Sequence, residues 1–409
     1  MKYIVWFSWW IDSTFVALHL KKQWHDVLLV HLKNTIEPNK CCQLPKDLMN
    51  LANKLNLPLK IVDTTKEFKN LVIDNFAKNY ISGLTPNPCI NCNWLVRFPI
   101  LNKIREELWY DKIATGHYAK IININWEYFL ARPKDLKKDQ TYMLYRIIWL
   151  TTSLNEPLLR YLDFPLWNYK KEEIKKLISS DPYFLQLISL QTSPISSNFH
   201  SLKNYKESQN ICFIPDDDYP RFLKQNYNVI TKPGPIYDKK WNYLWEHKGL
   251  IYYTIWQRRN IFLHQEKIAM NKKWYVIKIN TKNNVLILWE EKDLYNKEVI
   301  ITNTIRHYNI SQTIWKITTD KLNFIFRNLQ SSSSEIIWYH LQSTPLYWKI
   351  RYHHPGEYIE TFVKLEDTNY KITFKNPVRA PTPWQHLVIY LWNKEENDIV
   401  IGWGVINRL

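Results

Sequence analysis

Five cysteines carry the most reactive side chains in the sequence: Cys41, Cys42, Cys89, Cys92 and Cys212. An odd number of thiols, in a 409-residue chain without an export signal, argues against a disulfide scaffold. Reactive or metal-ligating thiols in a cytoplasmic protein fit better. Cys89, Cys92 and Cys212 could work as thiolates or hold an iron–sulfur cluster. A structural zinc site lacks a clear fourth ligand. Cys92 falls near the start of a predicted helix, which would favour its thiolate. Cys41 and Cys42 fall on a loop, with no role assigned.

A second reactive element is the turn Ser8-Trp9-Trp10-Ile11-Asp12-Ser13, between an apolar strand and an amphipathic stretch. Two adjacent indoles are a poor fit there, and the composition supplies a reason. The chain has 7 glycines and 20 tryptophans. A typical chain of this length would carry roughly 29 glycines, about 7%. Tryptophan also stands in turn-like sequence at Trp241, Trp245 and Trp384, where chains need positive φ or close backbone approach. We read most of these tryptophans as glycines, encoded by UGA in a gene whose code assigns that codon to glycine; UGG codons at Trp9 and Trp10 would end the idea. Trp274, within Lys-Trp-Tyr-Val-Ile, reads as an ordinary strand residue. With glycine restored, the turn becomes Ser-Gly-Gly-Ile-Asp-Ser. Its backbone N–H groups and the following helix N-terminus would grip phosphate. Ser8 and Ser13 would donate hydroxyls, and Asp12 would help to hold Mg²⁺ or cap the helix.

The elements that must position these groups follow from periodicity. Residues 3–7 and 26–32 read as buried strands around a helix at 13–23, a βαβ opening that requires a parallel sheet. Alternation continues with helices near 44–56, 66–80 and 92–108 and strands near 59–63 and 112–115. A polar, Ser-rich stretch covers 179–205. Beyond about 215 short strands with turn signals take over, and the last 120 residues alternate as in a small antiparallel barrel. The fold class is therefore α/β: a parallel-sheet nucleotide-binding domain (1–204), a small central domain (205–284) and a C-terminal antiparallel β-barrel (285–409). The apolar start (Met1 to Trp10) is broken by Asp12 and lacks a small-residue cleavage site, against a signal peptide. No run of 18 apolar residues suggests a membrane span. The formal charge of +17 suits a polyanion such as RNA, although frequent Lys, Ile and Asn also mark AT-rich genomes.

The restored turn resembles the pyrophosphatase (PP) loop of enzymes that cleave ATP to AMP and pyrophosphate. Thr85-Pro86-Asn87-Pro88-Cys89-Ile90-Asn91-Cys92-Asn93 resembles the T-P-N-P-x-x-x-C-N signature of tRNA-specific 2-thiouridylases. Further matches run in order along the chain: Ala114-Thr115-Gly116-His117-Tyr118-Ala119, Lys138-Asp139-Gln140-Thr141-Tyr142, Ile211-Cys212-Phe213-Ile214, Tyr253-Thr254-Ile255-Trp256-Gln257-Arg258 and Asn376-Pro377-Val378-Arg379-Ala380. Thr382-Pro383-Trp384-Gln385 matches a family T-P-G-Q.

The resemblance implies ATP and Mg²⁺ as cofactors, tRNA as substrate and a protein that donates persulfide sulfur. It assigns the persulfide to Cys212 and the partner thiol to Cys92, with a Cys92–Cys212 disulfide formed and later reduced. It places Trp6, Phe7, Ser8, Trp9, Trp10, Ile11, Asp12, Ser13, Leu32 and Gly116 around ATP. Asn87, Pro88 and Cys89 would face the target base; Lys138, Asp139, Gln140, His117, Arg351, Tyr352 and Gln385 would contact tRNA. Local readings compete: His117 as a strand-end histidine, Arg351 and Tyr352 as a barrel ladder pair. Some relatives carry Asp where Cys89 stands, and the 179–205 stretch exceeds the family's usual length. Two other functions remain open: a ligase or synthetase with the same ATP loop, which would not need Cys92 and Cys212, and a non-catalytic RNA-binding protein if Trp9 and Trp10 are genuine.

Overall fold

Strand β1 (Lys2–Trp6) and strand β2 (Asp26–Lys33) bury both faces, with Ile4, Val5, Leu29 and Val30 fully enclosed. Strands of that kind need cover on each side, as in a parallel sheet. In the computed structural model they pair in parallel with β3 (Leu59–Asp63), β4 (Lys112–Ala114) and β7 (Leu162–Asp163), in the order β3-β2-β1-β4-β7. Helix α1 (Ile11–Lys22) connects β1 to β2 and buries Phe15, Val16, Leu18 and Leu20. The strand order reverses between β1 and β4. Such a switch point opens a crevice beyond the carboxyl ends of the two strands, where α/β sheets bind ligands. The chain leaves β1 into residues 7–10 and leaves β4 into Thr115-Gly116-His117, so both flank that crevice.

The structure describes residues 1–8, 10–34, 45–124, 126–182, 211–258, 261, 273–306, 346–350, 356–365, 369–383, 385–391 and 398–408. Trp9, Cys41, Cys42, Arg351, Tyr352, Trp384 and most of the Ser-rich stretch lie outside them. The chain divides into two compact units, one built from 1–72, 89–217 and 393–399, the other from 73–88, 218–392 and 400–409. The first holds the parallel sheet and a hairpin of β5 (Lys120–Ile124) and β6 (Glu127–Ala131). The second holds a four-stranded sheet of β8 (Gly234–Asp238), β9 (Tyr243–His247), β10 (Trp274–Asn280) and β11 (Val285–Glu290). It also holds a six-stranded antiparallel barrel. Its strands are β12 (Tyr295–Arg306), β13 (Leu346–Lys349), β14 (Glu357–Lys364), β15 (Asn369–Arg379), β16 (His386–Leu391) and β17 (Ile399–Arg408), closed by the pairing of β12 with β17. The α/β-then-barrel reading is thus met.

Eleven described residues other than glycine have positive φ. Five are Asn or Asp, which tolerate this region, and one is Ala380. The other five are all tryptophan: Trp24, Trp109, Trp126, Trp241 and Trp256, with φ of 56–71°. None of the described Tyr or Phe residues shares that conformation. Each of the five sits where turn chemistry calls for glycine. After α1, the His25 N–H bonds to the Leu20 carbonyl and the Trp24 N–H to the Lys21 carbonyl, a Schellman cap with Trp24 at its left-handed position. Tyr110 to Arg105 and Trp109 to Glu106 repeat the pattern after the helix Phe98–Glu107. Trp126 is the second residue of a two-residue hairpin loop between paired Ile124 and Glu127, where Asn-Gly is preferred and the chain reads Asn-Trp. Trp241 follows a turn closed from its own N–H to Asp238, at the left-handed place of a three-residue hairpin loop. Trp256 is third in the turn closed by Gln257 N–H to the Thr254 carbonyl. The indoles of Trp24, Trp109 and Trp126 are 95%, 85% and 90% exposed. They gain almost no burial to offset the strain of their backbone.

Candidate active site

The turn after β1 is closed by its own hydroxyls. The Ser8 N–H and hydroxyl both reach Ser13 Oγ (3.2 and 3.1 Å), and Ser13 Oγ donates to the Trp10 carbonyl at 2.9 Å. The Phe7 carbonyl meets His31 Nδ1 at 2.8 Å. Trp10 is the extended residue before α1, and its side chain forms no cap hydrogen bond. The leading N–H groups of a helix have no intrahelical partner, so an anion is their natural ligand. Gly116 packs against this turn: a Cβ there would lie 3.0 Å from the Asp12 carbonyl carbon and the Ser13 nitrogen. Only glycine lets the end of β4 approach so closely. Leu32 is buried in β2. Ser8, Ser13, Asp12 and Gly116 are therefore brought together, and they fit a bound triphosphate by donor chemistry and by the absence of side chain at Gly116. Asp12 departs from the expectation of a cap. Both its carboxylate oxygens accept from Lys171 Nζ (2.6 and 2.7 Å), and one accepts from Tyr118 Oη at 3.3 Å.

The thiols come from a second helical run, Pro88–Glu107, whose middle turns at Cys92–Arg97 widen into a π-helix. Such widened turns recur at functional sites. Cys92 is buried, Cys89 half-buried and Cys212 exposed, and all three are free thiols. Although Cys212 is about 120 residues away in sequence, the three share one electrostatic neighbourhood. Burial, with Cys212 and Cys92 adding to it, raises the Cys89 thiol to about 12 against the pull of Arg97. Burial likewise raises Cys92 to about 11, against the pull of Arg97, with Cys212 adding to the rise. The expectation that a helix start would favour the Cys92 thiolate is corrected: the residue lies inside a helical run, not at its end, and desolvation outweighs the nearby guanidinium. Among the described residues, no three His, Cys, Asp or Glu side chains are grouped to hold a metal ion, so the proposed cluster at Cys89, Cys92 and Cys212 finds no ligand geometry.

Between turn and thiols lies His117, buried after β4. Its Nδ1 meets Thr115 Oγ1 at 2.6 Å, its Nε2 faces Arg97 at 3.3 Å, and its ring stacks on Trp6. Arg97 covers the other part of Trp6, 3.6 Å from the ring centroid. Burial, then Arg97, holds His117 well below the usual histidine range, so the ring is neutral. The residue is 7% exposed, enclosed among Trp6, Arg97 and Phe164. Asp139 behaves similarly. It is 2% exposed and accepts from Arg132 Nε (2.8 Å) and from the Thr141 N–H (3.0 Å). Its carboxylate holds the 132–141 loop. Gln140 clamps Tyr118, its Oε1 accepting from the Tyr118 N–H at 2.8 Å. Lys138 remains partly exposed, as do Asn87 and Cys89, while Pro88 is buried. Gln385, in the barrel unit, has a buried Oε1 without a hydrogen-bond partner among the described residues. Lys171, Arg97 and Arg132 were not singled out from sequence. In a lysine-rich chain nothing local marks Lys171; only its burial does.

Fold and site define a class: a nucleotide-loop α/β domain followed by β domains, with neighbouring thiols in the same unit as the loop. Family models agree. Residues 1–216 match a tRNA methyl transferase HUP domain, 221–289 its PRC-barrel domain and 317–406 an aminomethyltransferase β-barrel domain. Similar proteins include the tRNA-specific 2-thiouridylase MnmA 1 of Clostridium botulinum, 32% identical over 98% of this chain and 96% of that one. The MnmA of Clostridium acetobutylicum is 31% identical over 99% of both chains, and that of Halothermothrix orenii is 31% identical over 97% of this chain. The chain belongs to the tRNA-specific 2-thiouridylase family.

Proposed function

We propose that this chain is an ATP-dependent tRNA sulfurtransferase that replaces the C2 oxygen of the wobble uridine with sulfur, releasing AMP and pyrophosphate. The observation that carries the reading is the convergence of Cys89, Cys92 and Cys212 in the same unit as the β1–α1 phosphate turn. Family membership over the full chain supports it. The uridine C2 oxygen is a poor leaving group until it bonds the α-phosphorus of ATP and pyrophosphate departs. The oxygen can then leave as part of AMP. A persulfide on Cys212, loaded by a donor protein, attacks C2 through its outer sulfur and expels AMP. The Cys92 thiolate attacks Cys212 Sγ, the S–S bond breaks, and the electron pair stays on the sulfur now bound to C2. This leaves 2-thiouridine and a Cys92–Cys212 disulfide, which a dithiol reductant must return to two thiols. Cys212 is exposed, as a group loaded by another protein should be, and Cys92 is buried, as a resolving thiol shielded from side reactions should be. Arg97 is the cation that opposes the desolvation of Cys92. Asp12, and the Ser8 and Ser13 hydroxyls, would hold the magnesium-bound phosphates, which supply charge neutralisation when present.

The reading also proposes glycine at positions 9 and 10 of the natural polypeptide, since indoles would fill the space that phosphate needs. The five tryptophans in left-handed turns support the same substitution elsewhere in the chain. The test is to incubate the Trp9→Gly/Trp10→Gly chain with tRNA, ATP and a persulfide-loaded donor, then digest the tRNA and measure 2-thiouridine. The expected result is thiolation that stops with Cys92→Ala or Cys212→Ala while pyrophosphate release continues. Unmodified tRNA with an active donor, or thiolation that survives both alanines, would overturn it.

A further inference from the structure

Lys171 is 3% exposed, at the first position of a ten-residue helix, Lys171–Ser180. A lysine pays heavily for leaving water unless its charge is met. Here the counter-charge is Asp12, whose side chain keeps about a quarter of its surface open at the phosphate turn. The residue is held at both its ammonium and its backbone. Both Asp12 oxygens accept from Nζ, the Tyr118 ring lies 5.8 Å away, and the Lys171 backbone N–H donates to Asp135 at 3.0 Å. The Asp135 carboxylate in turn accepts from the Lys137 N–H, tying the loop to the helix start. A buried cation is thus held against the first turn of α1, whose N–H groups already favour an anion, by a carboxylate that can turn to solvent.

We infer that Lys171 is a phosphate-binding residue of the ATP site, stored against Asp12 until the triphosphate arrives. The inference rests on the ATP-site reading above. Asp12 is the carboxylate that both meets the Lys171 ammonium and opens to solvent at the turn. The terminal phosphates replace the carboxylate and keep Lys171 paired throughout. Asp12 would then be free to hold a metal ion, and the ammonium would hold the pyrophosphate oxygens. No proton or covalent bond moves. The leaving pyrophosphate gains a fixed positive charge, and on its departure the Asp12–Lys171 pair closes again.

The distinguishing experiment measures equilibrium binding of ATP with magnesium, pyrophosphate with magnesium, and AMP. It uses the Trp9→Gly/Trp10→Gly chain, with and without Lys171→Met or Lys171→Arg. A charged hydrogen bond of ordinary strength predicts that Lys171→Met weakens ATP and pyrophosphate binding by about tenfold to hundredfold and AMP binding by less than about threefold. Lys171→Arg keeps the charge and restores most of the loss. A lysine that merely holds the fold would weaken all three ligands together and lower the thermal midpoint. That pattern overturns the inference, as does unchanged pyrophosphate binding in Lys171→Met. Failure of the parent chain to bind ATP would instead strike the ATP-site reading, so the two failures are distinguishable.

Discussion

The cap after α1 and the centre of the barrel both carry tryptophan, and they treat it in opposite ways. Trp24 sits at φ 62° with its ring almost wholly in water, at the left-handed place of a Schellman cap. Trp348 lies in β13, paired opposite Ile389, and is among the largest fully buried side chains. Trp274, in β10, packs half-buried against Val276, Leu286 and their neighbours. A backbone strained for any residue with a Cβ, with nothing gained from the indole, is the mark of a position built for glycine. An extended strand that encloses the ring is built for a large side chain. The two regions teach that φ and burial separate the five left-handed tryptophans from buried strand residues such as Trp348, while Trp10, extended at φ −70°, is read as glycine from its place in the β1–α1 turn.

The largest effect expected from this contrast is at the phosphate turn. Trp9→Gly/Trp10→Gly should raise ATP-dependent thiolation by about a hundredfold or more over the chain with indoles, the scale of gaining preorganised anion donors. The thiols are the next test, because they show the same division between buried and exposed. Cys212 should react first with iodoacetamide. The Cys92 rate should rise about tenfold per pH unit from about 7 to 10, as the thiolate fraction grows toward a pKa of about 11, followed by peptide mass after quenching. A flat Cys92 profile would mean a thiol already ionised at neutral pH. Trp348→Ala should cost about 3–5 kcal/mol in chemical denaturation, the penalty for emptying a large buried site. By contrast, Trp24→Gly and Trp109→Gly should each stabilise by about 1 kcal/mol, as relief of left-handed strain outweighs the flexibility of glycine. Loss of stability at Trp24 or Trp109 would erase the separation of left-handed from buried tryptophans.

Much of the frame was legible before any coordinates, because buried parallel strands announce themselves. The strand reading 26–32 meets β2 at Asp26–Lys33, and 59–63 coincides with β3. The helix near 92–108 begins earlier, at Pro88, since proline is well suited to a first helical turn. That shift is why Cys92 lies inside the run, where burial raises its thiol. The candidate site was legible where motifs carry it, at Ser8–Ser13, Gly116 and Cys89–Cys92. It was not legible where long-range charge pairing decides. Lys171 with Asp12 spans 159 residues, and Arg132 with Asp398 spans 266. Burial of His117 was hidden for the same reason, since Trp6 and Phe164 enclose it from elements distant in sequence; Asp139 is instead held by its near neighbours Arg132 and Thr141, which no periodicity marks. The motif at Arg351-Tyr352 lies outside the described residues.

The most direct test of the whole account is the mass of one peptide. Digestion of the natural protein with trypsin releases Tyr3–Lys21, which contains positions 6, 9 and 10. The account predicts a fragment spectrum with glycine at positions 9 and 10, in the turn proposed to bind phosphate. Indole-bearing residues at both positions would contradict it, and the ATP-dependent chemistry proposed for the neighbouring thiols would lose its footing.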